Sequence, residues 1–196
     1  MKVQTTVFGY PRIGPKRELK KALESYWSGK SSKSELIEAT ETIIVNNART
    51  IKDFGVDLIP TNEFSLYDFI LDHSVMFNII PERFKKISDP FQRYFAMARG
   101  IDDLQALEMT KWFNTNYHYI VPEIENEDFE LTTNKPLTEF KLLQEKLSIK
   151  TKPVIVGPFT FLKCAKTNYD RLGQLMDKIT PVYKKLLKEL ELAGVE

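Results

Sequence analysis

Apolar and polar positions along the chain follow two patterns, one typical of short buried strands and one typical of amphipathic helices. Strands are predicted where apolar and β-branched residues run together, at Val3–Phe8, Val56–Pro60, Tyr117–Pro122, Phe129–Thr132 and from Pro153 onward. Helices are predicted where apolar residues recur every three or four positions, at Arg17–Tyr26, about Ser34–Phe54, Leu66–Phe77, about Phe91–Leu107, Pro136–Leu147 and about Tyr169–Leu192. Ser34 is the predicted N-cap of the second helix, and Gly55 its stop.

This alternation of strands and helices predicts an α/β fold with a mostly parallel sheet, either a (β/α) barrel or a doubly wound sheet. The first strand is not followed by a Gly-x-Gly-x-x-Gly fingerprint, and the chain has no Walker-type loop, so dinucleotide binding and nucleotide hydrolysis are disfavoured. In a barrel, function lies where strands end and helices begin. Three unusual segments fall at such places: FGYPRIG from Phe8, IPTNEFSLYD from Ile59, and IVGPFTFLK from Ile155.

The last residues repeat a pattern that also occurs inside the chain. KELELAGVE closes a predicted helix with Gly194 and continues into Val195, just as Gly55 and Val56 lead into a predicted strand within IKDFGVDLIP. A strand is therefore expected to begin where the chain ends, and a sheet that stopped there would have an exposed edge. We expect the chain to be a fragment of a longer protein.

The composition is that of a globular protein and does not indicate a particular binding partner. The 28 basic and 27 acidic residues nearly cancel, so net charge indicates neither a nucleic-acid nor a membrane partner. The hydrophobic fraction of 42% is that of a globular protein with a real core. The single cysteine, Cys164, excludes an internal disulfide and fits a reducing compartment. Because no signal-like or membrane-spanning apolar run occurs, a cytoplasmic location is expected.

Four basic residues cluster at the start of the first predicted helix, where positive charge is electrostatically unfavourable. The four are Lys16, Arg17, Lys20 and Lys21. A helix N-terminus is the positive end of the helix dipole and repels them. Two interpretations are equally open from the residues: a solvated face helped by a Lys20–Glu24 pair, or a site for an anion that uses backbone N–H groups and flanking cations. Arg12, at the end of the preceding strand, slightly favours the anion site.

A second candidate site is the segment EMTKWFNTNYHY, which begins at Glu108. Lys111 lies there among aromatic and amide side chains, which suit a flat ring whose polar atoms are held by lysine and asparagine. The alternative is a buried aromatic wall with one lysine that reaches water. Aromatic residues are more often core than ligand contacts, so the residue types alone favour the wall.

Polar residues also follow the second predicted strand, namely Asn62, Glu63, Ser65 and Asp68. Carboxylates at a strand end suit acid–base chemistry. Helix capping explains Ser65 and Asp68 equally simply, and it is the favoured interpretation.

The histidines and the cysteine do not form a recognisable metal or nucleophile motif. His73 and His118 are far apart and lack partners at zinc spacing, and Cys164 is expected to be a packed thiol. The residues thus supply a candidate anion site and a candidate aromatic site, but no complete catalytic constellation.

Three segments together resemble the N-terminal domain of the cobalamin-independent methionine synthase family: GYPRIGPKRELKKALESYWSG, FGVDLIPTNEFSLYD and EMTKWFNTNYHYIVPE. The resemblance extends over essentially the whole chain. It implies a two-barrel enzyme that transfers a methyl group from 5-methyltetrahydropteroyltriglutamate to homocysteine. This chain, residues 1–196, would be the front part of the N-terminal barrel, a partial (β/α)8 TIM-type barrel domain without the C-terminal catalytic barrel.

The resemblance also implies which residues contact the folate triglutamate: Arg17, Glu18, Leu19, Lys20 and Lys111. For Lys111, two positions are open, one at the glutamate tail and one nearer the pterin ring. The carboxylates of a triglutamate tail gain from charge-assisted hydrogen bonds to arginine and lysine. Zinc and homocysteine would be bound by the C-terminal barrel, and no cobalamin is implied. No catalytic residue and no metal ligand is therefore expected in this chain, which would be inactive in isolation. The competing hypothesis is a non-catalytic polyanion-binding or regulatory module derived from the same enzyme.

Overall fold

The computed structural model describes residues 3–195, except the side chain of Tyr169. The helices are α1 (Glu18–Trp27), α2 (Lys33–Asp53), α3 (Phe69–Met76), α4 (Glu82–Lys85), α5 (Pro90–Arg99), α6 (Lys135–Leu147), α7 (Pro158–Lys163) and α8 (Leu172–Leu192). A 3-10 turn at Tyr169–Arg171 precedes α8. The strands are β1 (Ile59–Thr61), β2 (Met109–Lys111), β3 (His118–Ile120) and β4 (Thr151–Pro153). A mixed α/β structure is therefore confirmed.

The chain forms two compact units. The first unit contains the chain up to Leu66, Lys135–Ile155 and the residues from Glu191 onward, and the second contains Tyr67–Asn134 and Val156–Leu190.

Parallel pairing organises the first unit. Ile59 of β1 lies opposite Thr151 of β4, and Thr6 forms an isolated parallel bridge to Leu58 on the other side. Apolar residues of α2 and α6 pack against β1 in one buried cluster, namely Ala48, Ile51, Ile59 and Leu143. Among the described residues, parallel strands of this unit extend no further, so the partial (β/α)8 barrel is not confirmed.

The N-cap of helix α2 lies two residues before the predicted one. The N-cap is Ser32, and its hydroxyl accepts a hydrogen bond from the backbone N–H of Glu35. The Glu35 carboxylate in turn accepts from the Ser32 N–H at 2.7 Å. This reciprocal capping box satisfies two N–H groups at once, which Ser34 does not achieve. The prediction of Ser34 as N-cap was wrong.

An aromatic core fills the second unit. The ring of Phe77, at the end of α3, lies 5.6 Å from that of Phe161 and 4.8 Å from that of Tyr183, centroid to centroid. His73 packs beside it, with ring nitrogen Nδ1 2.6 Å from the Phe69 carbonyl and Nε2 accepting from the Val156 N–H at 3.2 Å. These contacts join α3, α7 and α8 around one buried cluster.

Several other elements differ from their predictions. The predicted strand Val3–Phe8 is reduced to the Thr6 bridge, and Phe129–Thr132 is not a strand. The helix predicted to reach Leu107 ends at Arg99, because Gly100 takes a positive φ of 77° where the Leu104 carbonyl approaches too closely for a side chain. Among the described helices, none is long and apolar enough to cross a membrane.

Candidate functional site

The loop before α1 is held by the residues that follow β1. The Gly9 N–H donates to Oε1 of Glu63 at 2.9 Å, and Nη1 of Arg12 donates to the Ser65 carbonyl at 3.2 Å. Burial raises the pKa of Glu63. Glu63 and Ser65, which follow β1, therefore have a structural role, because they position the FGYPRIG segment.

The start of α1 already contains its own anion. The Glu18 carboxylate accepts from the Lys16 N–H at 2.9 Å, and its pKa is lowered first by its own backbone N–H and then by that of Lys16. The Leu19 N–H donates to the Ile13 carbonyl at 3.1 Å. Gly14, at a φ of 79°, leaves room for the carboxylate, which a Cβ at this position would overlap. These backbone donors are thus satisfied within the chain, and an external anion here would depend mainly on side-chain cations.

The predicted tail-binding residues of α1 share one turn, but they differ in what they offer a ligand. Arg17, at a left-handed φ of 62°, and Lys20 are exposed cations. Lys20 pairs with Glu24 at 3.4 Å across the helix surface. Leu19 is only 3% exposed, so its side chain anchors the helix in the core. Of this group, Arg17 and Lys20 can pair with carboxylates, whereas the Glu18 carboxylate accepts from the Lys16 N–H.

Replacing Glu18 with glutamine should remove a pH-dependent stabilisation of the α1 start. The folded-state pKa of Glu18 lies below its ordinary value of 4.5, so the carboxylate stabilises the fold above that value and stops doing so as the pH falls through the folded pKa. The wild-type advantage over E18Q in urea unfolding should shrink between about pH 7 and about pH 3. A difference that stays constant over this range would contradict the assignment.

Lys111 lies in an antiparallel hairpin of the second unit. It ends β2 opposite His118 of β3, and it is exposed. The adjacent Trp112 meets the ring of Phe69 edge-on at 5.0 Å, and Tyr117 stacks on the same ring at 5.3 Å. These aromatic rings pack on one another, while Lys111 beside them is exposed.

A buried polar network at the end of β1 was not foreseen from the sequence. Lys135 Nζ donates to Oδ1 of Asn62 at 3.0 Å, to the Phe64 carbonyl at 2.6 Å and to Oε1 of Glu139 at 2.5 Å. The Asn62 N–H donates to the other Glu139 oxygen at 2.7 Å. The only local signal is the i,i+4 spacing of Lys135 and Glu139 on α6. The network fixes the turn after β1, where Asn62 has a left-handed φ of 64°.

The described residues do not fit a zinc ion. Within residues 3–195, no three side chains of histidine, cysteine, aspartate or glutamate are grouped closely enough to hold a metal. Both ring nitrogens of His73 have backbone partners. Cys164 is partly buried, and burial raises the pKa of its thiol.

The family model and the curated relatives that this chain matches point to the same family. Residues 4–196 match the family described as "Cobalamin-independent synthase, N-terminal domain". A protein of Thermodesulfovibrio yellowstonii named 5-methyltetrahydropteroyltriglutamate–homocysteine methyltransferase is 71% identical over 196 residues, which is 100% of this chain and 26% of the relative. Proteins of the same name from Bacillus subtilis and Bacillus velezensis are each 45% identical over 99% of the chain and 26% of the relative. The chain therefore spans about a quarter of the length of these relatives.

Proposed function

Because the chain belongs to the cobalamin-independent methionine synthase family, matching its N-terminal domain, we propose that it contributes the folate-polyglutamate-binding part of that methyltransferase. The reaction is methyl transfer from 5-methyltetrahydropteroyltriglutamate to homocysteine, which forms methionine. The 71% identity to a relative named for this reaction, over the whole chain, carries the proposal.

The site geometry supports a binding role for this part of the protein. Arg17 and Lys20 are exposed on one turn of α1, and Lys111 is exposed at the end of β2. Each can form a charge-assisted hydrogen bond to a carboxylate of the glutamate tail. Glu18 and Leu19 contribute by fixing the turn that presents Arg17 and Lys20.

The proposal includes the fold of this domain and the location of the zinc site. We assign residues 1–196 to an incomplete N-terminal (β/α)8 barrel, in which the Thr6 segment, β1 and β4 are neighbouring parallel strands. Zinc and homocysteine are assigned to residues outside this chain, as the resemblance to the two-barrel family implies. No cobalamin is involved, and no catalytic residue is assigned here.

Replacing Lys20 or Lys111 with alanine should weaken binding of the triglutamate form more than binding of the monoglutamate form. A lost charge-assisted hydrogen bond to the tail should cost about tenfold in affinity, equivalent to about 1.4 kcal/mol. Titration calorimetry of the full-length enzyme with 5-methyltetrahydropteroyltriglutamate and with its monoglutamate counterpart measures both losses. Lys30→Ala, an exposed lysine just beyond α1, is the matched control and should leave both affinities unchanged.

Two results would contradict parts of the proposal. Equal losses for the two folate forms would show that these lysines do not grip the tail. Binding of free triglutamate peptide as tightly as the folate would instead favour the polyanion-binding module.

A further inference from the structure

Asp68 is a buried carboxylate that joins α3 to the hairpin. It is 1% exposed, and its Oδ2 accepts from the Leu71 N–H at 2.8 Å as the cap of α3. The same oxygen accepts from the Ile120 N–H at 3.0 Å, and Oδ1 accepts from the Tyr117 hydroxyl at 2.6 Å. Capping therefore accounts for only one of these three hydrogen bonds. The other two hold a segment about 50 residues further along the chain.

These hydrogen bonds fix β3 at both ends. Tyr117 immediately precedes β3 and Ile120 is its last residue. His118, between them, is the register partner of Lys111. The Trp112 N–H, one residue beyond Lys111, donates to the Tyr117 carbonyl at 2.8 Å. The position of Lys111 is thus determined by a strand that Asp68 holds in place.

We propose that Asp68 and Tyr117 are positioning residues that set the location of Lys111 for a carboxylate of the ligand. This inference rests on the proposed function, in which Lys111 binds the glutamate tail. Neither residue needs to touch the ligand, because each acts through the hairpin backbone. Burial raises the pKa of Asp68 above its ordinary value, although the hydrogen bonds from Tyr117, Leu71 and Ile120 oppose this shift.

The Tyr117→Phe variant tests the proposal with Lys111 left intact. It removes the hydroxyl that reaches Asp68 but keeps the ring that stacks on Phe69. We expect the affinity of the full-length enzyme for 5-methyltetrahydropteroyltriglutamate to fall about fivefold, which corresponds to about 1 kcal/mol. Amide hydrogen exchange in the hairpin should become faster at the same time.

The matched control is Tyr183→Phe. It also removes a tyrosine hydroxyl from the second unit, one that donates at 2.7 Å to the carbonyl of Val156, a residue outside the hairpin. This control should lose stability without losing affinity. Asp68→Asn, which cannot accept from all three donors with equal geometry, is a second test variant if Tyr117→Phe folds poorly.

A double-mutant cycle with Lys111→Ala distinguishes positioning from general destabilisation. Once Lys111 is replaced, Tyr117→Phe should cost no further affinity, because its effect is transmitted through that lysine. Additive losses, or an equal loss in Tyr183→Phe, would overturn the positioning role while leaving the proposed function intact. If Lys111→Ala alone leaves affinity unchanged, the proposed role of Lys111 falls, and the positioning role falls with it.

Discussion

Phe77→Ala should lower the free energy of unfolding of the second unit by about 4 kcal/mol, the largest stability effect expected in the chain. Phe77 is fully buried, and its ring packs on His73, Phe161 and Tyr183. Removing the ring leaves a cavity between α3, α7 and α8, and these helices would have to move together to fill it. Urea unfolding followed by circular dichroism measures the loss.

The control for this change is Phe159→Ala in α7. The same atoms are removed there from a side chain that is 57% exposed, so the loss should stay below about 1 kcal/mol. If Phe77→Ala does not fold, Phe77→Leu should retain structure and still lose about 1.5 kcal/mol. Similar losses at the buried and exposed positions would show that the aromatic cluster does not carry the stability of this unit.

Lys135→Met should cost about 3 kcal/mol, because it removes the partly exposed lysine that pairs with the buried Glu139 carboxylate and leaves that carboxylate uncompensated. Glu139 is 5% exposed, and its carboxylate would keep only the Asn62 N–H among the hydrogen bonds described for it. The Asn62 amide oxygen and the Phe64 carbonyl lose a donor in the same step. Urea unfolding reports the loss.

Lys146→Met on the same helix is the matched control for Lys135→Met. Lys146 pairs with Glu145 at 3.1 Å, but both side chains are exposed, and such surface pairs contribute about 0.5 kcal/mol or less. A loss from Lys135→Met no greater than that from Lys146→Met would contradict the structural importance of the buried network.

Local signals predicted the long helices well. The three- and four-residue spacing of apolar residues located α1, α2 and α6 to within a few residues, because each buries one face. The same reasoning missed α7, where the apolar run after Pro153 was taken as one strand. Gly157 and Pro158, a cap and a favoured first helical residue, were the signal that a helix begins there.

One strand prediction, Phe129–Thr132, was wrong because its backbone pairs with the end of a helix and not with another strand. Phe129–Thr132 has the alternation of a strand, yet the Glu130 and Thr132 N–H groups donate to the carbonyls of Phe77 and Met76 at the end of α3. Alternation of apolar and polar residues therefore indicates an extended backbone, but it does not identify the partner of its hydrogen bonds.

The sequence predicted which residues belong to the candidate site, but not the contacts that they make with one another. The cation-rich start of α1 is visible in the sequence, whereas the occupation of its backbone donors by Glu18 and Ile13 depends on the turn geometry at Gly14. The contact between Asp68 and Tyr117 joins residues 49 positions apart, and no periodicity in one sequence reports such a pairing.

The hydrogen bonds of His73 determine which form of its imidazole the fold requires. The Phe69 carbonyl can only accept, so Nδ1 carries the proton, and the Val156 N–H can only donate, so Nε2 is bare. The ring is thus held as a single neutral tautomer. A proton added at Nε2 would displace the Val156 N–H and separate α3 from the segment that leads into α7. His73 therefore connects α3 to the segment that leads into α7.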